Sequence, residues 1–332
     1  MIRCIDEPHA DHVSAFMSDH ARMPRDETCY LPVEHLRVTA EHVLLGIRLL
    51  PADGDTLPEE VRASLSPSSP IGAIAAVPAH GTSFDRMEQR SRLVAEHALR
   101  VLRIALREHR GIHGRQLRFR LDIRFTFGRG RAGWRTADDA AYELGLDDRL
   151  IKLAEQQPVW AMPLVPRTDV DRHADLAMRW MERAIFAGDQ IVALLFLCFA
   201  LEALLGDTSE GLKGPALAFR QAMLSHLIEG GFAHPSQTLL LYEEIRSAAV
   251  HGENPPSLGS DELARFAWGV RRTLAQYVAF ARTRGFTRRS RVRRSLDWDP
   301  DRPKMIAWLR ERGGADWGRY LSNLEEEQPP TG

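Results

Sequence analysis

LLLYEEIRSAAVHG, residues 239–252, reads as the last turns of an amphipathic helix that ends on a histidine and a glycine. Leu240, Leu241, Ile245, Ala248 and Ala249 recur at three- to four-residue spacing and give a core-facing stripe. Gly252 is a helix stop, and Pro255 and Pro256 forbid continuation. Arg246, Ser247 and His251 stand together near that end, with four residues between the arginine and the histidine. Spacing alone carries little, because Arg92/His97, Arg220/His226 and several other pairs in this Arg-rich chain are similarly spaced. The setting distinguishes 246–251: the segment closes the fourth of five consecutive helical patterns.

Working outward, residues 169–187 form the first of those helices, with Asp169 and Asp171 suited to its N-terminus. Residues 190–205, QIVALLFLCFALEALL, form the second, apolar on every side as a central bundle helix is. Its one charge is Glu202, which must reach the bundle edge or find a partner, since an unpaired buried charge is costly. Residues 215–229, 235–251 and 261–285 complete the set. Asp261 and Glu262 start the last helix and Arg282 and Arg284 end it, complementing its dipole. A basic run follows, Arg288, Arg289, Arg291, Arg293 and Arg294, and then a short helical tail carrying Trp298, Trp308 and Trp317.

Before the bundle the pattern is mixed. Residues 33–50 read as one bent strand or two, with Gly46 as a bulge, and 51–70 as a surface loop. Residues 71–77 read as a short apolar strand, and 82–109 as a long helix begun by Thr82 and Asp85. In 117–127, LRFRLDIRFTF, apolar and polar residues alternate strictly, as in a strand with one buried face. Arg118, Arg120 and Arg124 line its polar side, which reads better as a solvated face than as a phosphate contact. The fold class expected is an α+β domain over 1–160, a candidate sensing module, followed by an all-α bundle over 167–286 and a basic segment and tail over 287–332.

Composition bounds the function. A net charge of −1 over 332 residues excludes a polycation built for non-specific nucleic-acid binding. All but three of the 44 basic residues are arginine, so any one arginine patch carries less weight than usual. Cys4, Cys29 and Cys198 lack metal-ligand spacing, and His9, His12 and His20 have no second cluster to complete a site, so neither metal nor cofactor is expected. With no leader pattern, and with the longest apolar run, Ile191–Leu201, too short to span a bilayer, a cytoplasmic protein without a membrane partner is expected.

ALEALL at 200–205, then a helix, then LLLYEEIRSAAVHGE at 239–253, resembles the HEPN superfamily, and more narrowly its Apea-like group. The likeness covers roughly 170–285, and RSAAVHG is its most specific part. One departure is that Tyr242 stands four residues before the arginine, where the family pattern has three. The resemblance implies a helical bundle that dimerises and a metal-independent endoribonuclease of phage defence or of a toxin-like role. It further implies RNA as substrate and an antitoxin or phage-derived trigger as partner. Arg246, Ser247 and His251 match the motif positions.

The residue types suit that chemistry. Cutting RNA without metal needs an acceptor for the 2′-hydroxyl proton and a donor for the leaving 5′-oxygen, and an imidazole serves either role. A guanidinium gives a bidentate fork to the phosphorane-like transition state. Residues five apart on a helix lie roughly 140° apart, so Arg246 and His251 do not share a face, and a site assembled from two protomers is favoured. Ser247 would support the imidazole or a phosphate oxygen, and Glu202 would orient Arg246. The arginines of 288–294 would hold RNA backbone, or simply a solvated linker. Against this stands a catalytically inactive HEPN module for dimerisation or nucleotide or RNA binding, in which Arg246 pairs with Glu202 or Glu243 and His251 only ends a helix.

Overall fold

A computed structural model describes residues 25–65, 71–81, 84–106, 119–121, 144–163, 165–206, 214–231, 238, 240–252, 258–312 and 321. The fold is mainly helical, with a small antiparallel sheet preceding the helices. The chain divides into two compact units, Met1–Leu99 with Arg115–Ile151, and Arg100–Gly114 with Lys152–Gly332.

The first unit is built on strands β1 (Arg25–Glu34), β2 (Leu36–Val38), β3 (His42–Leu44), β4 (Ile47–Pro51) and β5 (Ile71–Gly81), with the short β6 (Arg120–Leu121) and β7 (Leu144–Leu146). The larger sheet runs β3-β4-β5-β1-β6, all antiparallel, and β2 and β7 pair in parallel. Gly46 is not a bulge. With Leu45 it forms the tight β3–β4 turn, both residues at positive φ (50° and 86°), as a mirror-image hairpin turn demands. His35, also at positive φ, separates β1 from β2. Residues 51–70 are more than a loop: helix α1 (Glu59–Ser64) sends Val61, with Leu57 just before it, into a core made with Leu50, Ile74 and Ala76. Helix α2 (Phe84–Leu106) follows, its residues from Arg100 onward belonging to the second unit, and then α3 (Asp148–Glu155). Of the alternating stretch 117–127, Arg120 and Leu121 pair with Glu34 and Val33, and the remainder bar Phe119 lies outside the described residues, as do His9, His12, His20 and the Thr82 cap.

The second unit holds α4 (Asp169–Phe186), α5 (Gln190–Leu205), α6 (Gly214–Glu229), a π-helical turn (Leu241–Arg246) running into α7 (Ser247–His251), α8 (Ser260–Thr283), α9 (Arg289–Asp297) and α10 (Arg302–Arg312). Helix α4 opens with a capping box in which Thr168 Oγ1 accepts from the Asp171 N–H and the Asp171 carboxylate accepts from the Thr168 N–H. Asp189 caps α5. Helix α5 is the centre, packing against α4, α6, α8, α9 and the π-turn. That placement is why it is apolar all round. Trp180 of α4 stacks on its Phe196 and Phe199. A buried ionic cluster ties the end of α2 to α4: Arg100 donates to Asp175 and Glu182, and Arg103 donates to Glu182.

The basic run is part of the bundle. The Asp169 N–H donates to Thr287 O (3.0 Å), and the Arg289 N–H donates to the Asp169 carboxylate (2.9 Å), so α4 and α9 begin on each other. The carbonyls at the C-terminal end of α5, of which Glu202 O also accepts the Gly206 N–H, are taken by three guanidiniums where the helix runs out of donors. Arg289 reaches Glu202 O and Ala203 O, Arg220 reaches Leu205 O, and Arg293 reaches Gly206 O.

Candidate active site

The site is organised by Glu202, near the C-terminus of α5. Its Oε1 accepts from the Tyr242 hydroxyl at 2.6 Å and from Arg246 Nη2 at 3.2 Å. The Arg246 guanidinium also lies over the Tyr242 ring, 5.0 Å from its centroid. The carboxylate and guanidinium are both well shielded, at 16% and 12% exposed, so this is a partly desolvated ion pair with an aromatic wall. Arg246 Nε is buried and has no hydrogen-bond partner among the described residues.

The π-turn brings Tyr242 and Arg246 together. The Ser247 N–H donates to Tyr242 O, a bond spanning five residues where an α-helix spans four. The wider turn carries one extra residue. Tyr242 and Arg246, four apart, share a side of the turn, as residues at that spacing do on an α-helix too, and both reach Glu202. The tyrosine hydroxyl is pushed well above its ordinary range, first by burial and then by its hydrogen bond to Glu202. It is a fixed donor at neutral pH. Cys198, one turn before Glu202, is fully buried, and burial together with the Glu202 charge keeps its thiol protonated, which rules it out as a nucleophile.

Two further contacts fix the turn. The Gly214 N–H, at the start of α6, donates to Glu243 Oε1 at 3.0 Å. A Cβ on Gly214 would sit 2.3 Å from that oxygen and 2.9 Å from the Tyr242 ring, so only glycine lets α6 come this close.

His251 is apart from this cluster. It is exposed, at the end of α7, followed by Gly252 in the left-handed conformation (φ 74°), and has no hydrogen bond or ion pair among the described residues. Ser247 is half-buried at the start of α7. One chain therefore joins Glu202, Tyr242 and Arg246 but not His251. Helix α7 buries none of its residues, although three of its five are Ala248, Ala249 and Val250. Val250 and the nearby Leu240 are 49% and 45% exposed.

Of the basic run, Arg289 and Arg293 are occupied on the end of α5, whereas Arg288, Arg291 and Arg294 are exposed. Among the described residues no group of three or more His, Cys, Asp or Glu is placed to hold a metal ion, and no helix is long and apolar enough to cross a membrane. The role of Tyr242 was not legible from spacing, because its hydroxyl is held by Glu202, forty residues earlier in the chain. Gly214 carried no signal beyond standing where a helix begins.

No family model, curated protein or solved structure matches this chain.

Proposed function

We propose that this chain is a metal-independent endoribonuclease of the HEPN type, acting in phage defence or a toxin-like role, with a site completed by a second copy of the chain. The observation that carries the reading is the Glu202–Tyr242–Arg246 cluster with its unpartnered Nε, one short helix away from an exposed His251. Glu202 and Tyr242 are positioning residues that hold the guanidinium, whose remaining donors face a phosphoryl group. His251 moves the proton. Residues five apart on a helix lie roughly 140° apart, which argues against one protomer supplying both; the bare apolar surface of α7 supplies the contact that brings a second copy's His251 to this Arg246.

The 2′-oxygen attacks phosphorus as an imidazole takes its proton, the 5′-oxygen leaves as an imidazolium protonates it, and the products are a 2′,3′-cyclic phosphate and a 5′-hydroxyl. The arginine stabilises the charge that accumulates on the non-bridging oxygens. Purified protein cutting single-stranded RNA in EDTA, and His251→Ala failing to, supports the reading. Wild-type protein that leaves RNA intact both in EDTA and with Mg²⁺ or Mn²⁺ overturns it as a constitutive activity.

A second reading is favoured by one observation: Glu202 already neutralises Arg246. A guanidinium so paired has less to give a phosphate, as in an inactive HEPN module that dimerises or binds nucleotide or RNA without cutting it.

A further inference from the structure

The exposed side of α9 borders a pocket of about 310 Å³ lined by Ser290, Arg291, Arg293, Arg294, Asp297 and Trp298. Its charges are unequal in what they can offer. Asp297 is held by Arg220 through two bonds, 2.7 and 2.8 Å, so its negative charge is already matched. Arg293 has one nitrogen on Gly206 O. Arg291 and Arg294 are exposed and have no ion pair among the described residues. The pocket is therefore cationic, and its two outer guanidiniums are available to an anion. Trp298, half-buried at the end of the helix, has Arg302 over its ring at 4.4 Å. An indole has two faces, and Arg302 takes one.

We propose that this pocket binds one nucleotide of single-stranded RNA, its phosphate on Arg291 and Arg294 and its base against Trp298. Two basic forks beside an aromatic surface are what single-stranded nucleic acid requires, a charged track for the backbone and a ring on which a base stacks. Guanidiniums bind phosphate oxygens bidentately. The volume is at the small end of ligand sites, enough for one nucleotide and no more. Arg288, exposed at the N-cap of α9, extends the cationic surface beyond the pocket, so that three exposed arginines cover about 9 Å of the helix. A strand uses that continuation, whereas a free mononucleotide does not. The proposal rests on the reading of this chain as an RNA-binding protein, and places an RNA contact on the exposed side of α9.

The test is binding without cutting. Fluorescence anisotropy of a labelled oligouridine 12-mer is measured in EDTA with the full chain carrying His251→Ala, alone and combined with Arg291→Gln/Arg294→Gln. Both added substitutions are at exposed positions, and an unchanged melting temperature verifies the fold. The pocket variant binds at least about tenfold more weakly, and the slope of log affinity against log salt shrinks by about 1.4, the loss expected for two phosphate contacts on a single strand. Trp298→Leu weakens binding roughly tenfold, and Trp298→Phe restores most of it, because a ring is what the base needs. Unchanged affinity and slope in the Arg291/Arg294 variant overturn the proposal. Displacement of the oligomer by uridine monophosphate or by oligoglutamate, at matched ionic strength and nearly as well as by unlabelled RNA, overturns the strand as occupant. If wild-type protein cuts no RNA yet the pocket variant loses binding, the nuclease reading fails and this one stands. If wild-type cuts and the pocket variant binds normally, this one alone fails.

Discussion

The C-terminal end of α5 meets arginines of two kinds. At the C-terminus of α5, Arg220, Arg289 and Arg293 are held on the last carbonyls, and Arg220 also binds Asp297 with both prongs. Those groups complete a helix end. Arg246, reaching from the π-turn, is held instead on the Glu202 side chain, and like Arg293 it has a buried Nε without an acceptor among the described residues. In a chain with 41 arginines the residue type says nothing about role. What separates them is what each guanidinium is held on, helix-end carbonyls for Arg220, Arg289 and Arg293, and for Arg246 a carboxylate shared with a tyrosine hydroxyl.

The contrast is sharpest in activity. Removing an acid/base group costs roughly 10²–10⁴ in rate, and removing a charge-stabilising donor roughly 10²–10³. His251→Ala and Arg246→Ala should each fall by those factors in an RNA-cutting assay, with melting temperature nearly unchanged for the exposed His251. Arg246→Lys should fail as well, since it keeps the charge and loses the fork.

Stability should respond the other way round. Asp175→Ala leaves the buried Arg100 without one of its carboxylates and strips Arg179 of its partner, at a cost of about 3–5 kcal/mol in denaturant unfolding. Arg289→Ala takes a charged donor from two carbonyls of α5, which keep the Gly206 N–H and His173 respectively, and should cost about 1–3 kcal/mol. Cutting by the folded fraction should be unaltered. An Arg289→Ala protein that melts normally but no longer cuts would erase the distinction between the two regions.

Much of the bundle is legible in sequence because burial writes itself into periodicity. The stretch 190–205 has no polar side, so it had to be the central helix, and its single carboxylate had to find a cation. What was not legible depends on geometry that residue types do not encode. Tyr242 stands on the arginine's face at four-residue spacing, but the carboxylate that holds its hydroxyl is forty residues away. Leu45–Gly46 lacks the Asn-Gly signature of its turn. The arginines of 288–294 read as a linker or an RNA track because the carbonyls they cap are over eighty residues away. Helix α1 is hidden in a Pro- and Asp-rich stretch whose large apolar residues are only Leu57, Val61 and Leu65.

Gly214 offers a smaller test of the turn. Gly214→Ala pushes a methyl against Tyr242 and Glu243 and should cost about 1–3 kcal/mol of stability while lowering cutting. Normal stability and activity would mean that the π-turn tolerates displacement. The smallest effect concerns pH. Burial and the neighbouring Arg289 charge hold His173 below the ordinary histidine value of 6.5, with the Asp169 carboxylate and the Ala203 carbonyl opposing them. The unfolded chain therefore takes up a proton that the folded one resists, so stability falls as pH drops below about 6.5 and keeps falling until the folded value is passed. Asp169, lowered by the Arg289 N–H, withdraws its stabilisation only below its ordinary 3.8, outside the pH 7–5 interval. His173→Gln should flatten the slope of melting temperature across that interval.

The measurement that bears most directly on the central claim is co-expression of Arg246→Ala and His251→Ala chains. If the site joins the arginine of one copy to the histidine of another, each mixed dimer holds one complete site, and random pairing should restore about a quarter of wild-type cutting, since half the dimers are mixed and half their sites are whole. Recovery to that level, with each single variant inactive alone, is the predicted result. Mixed dimers as inactive as either parent would contradict it.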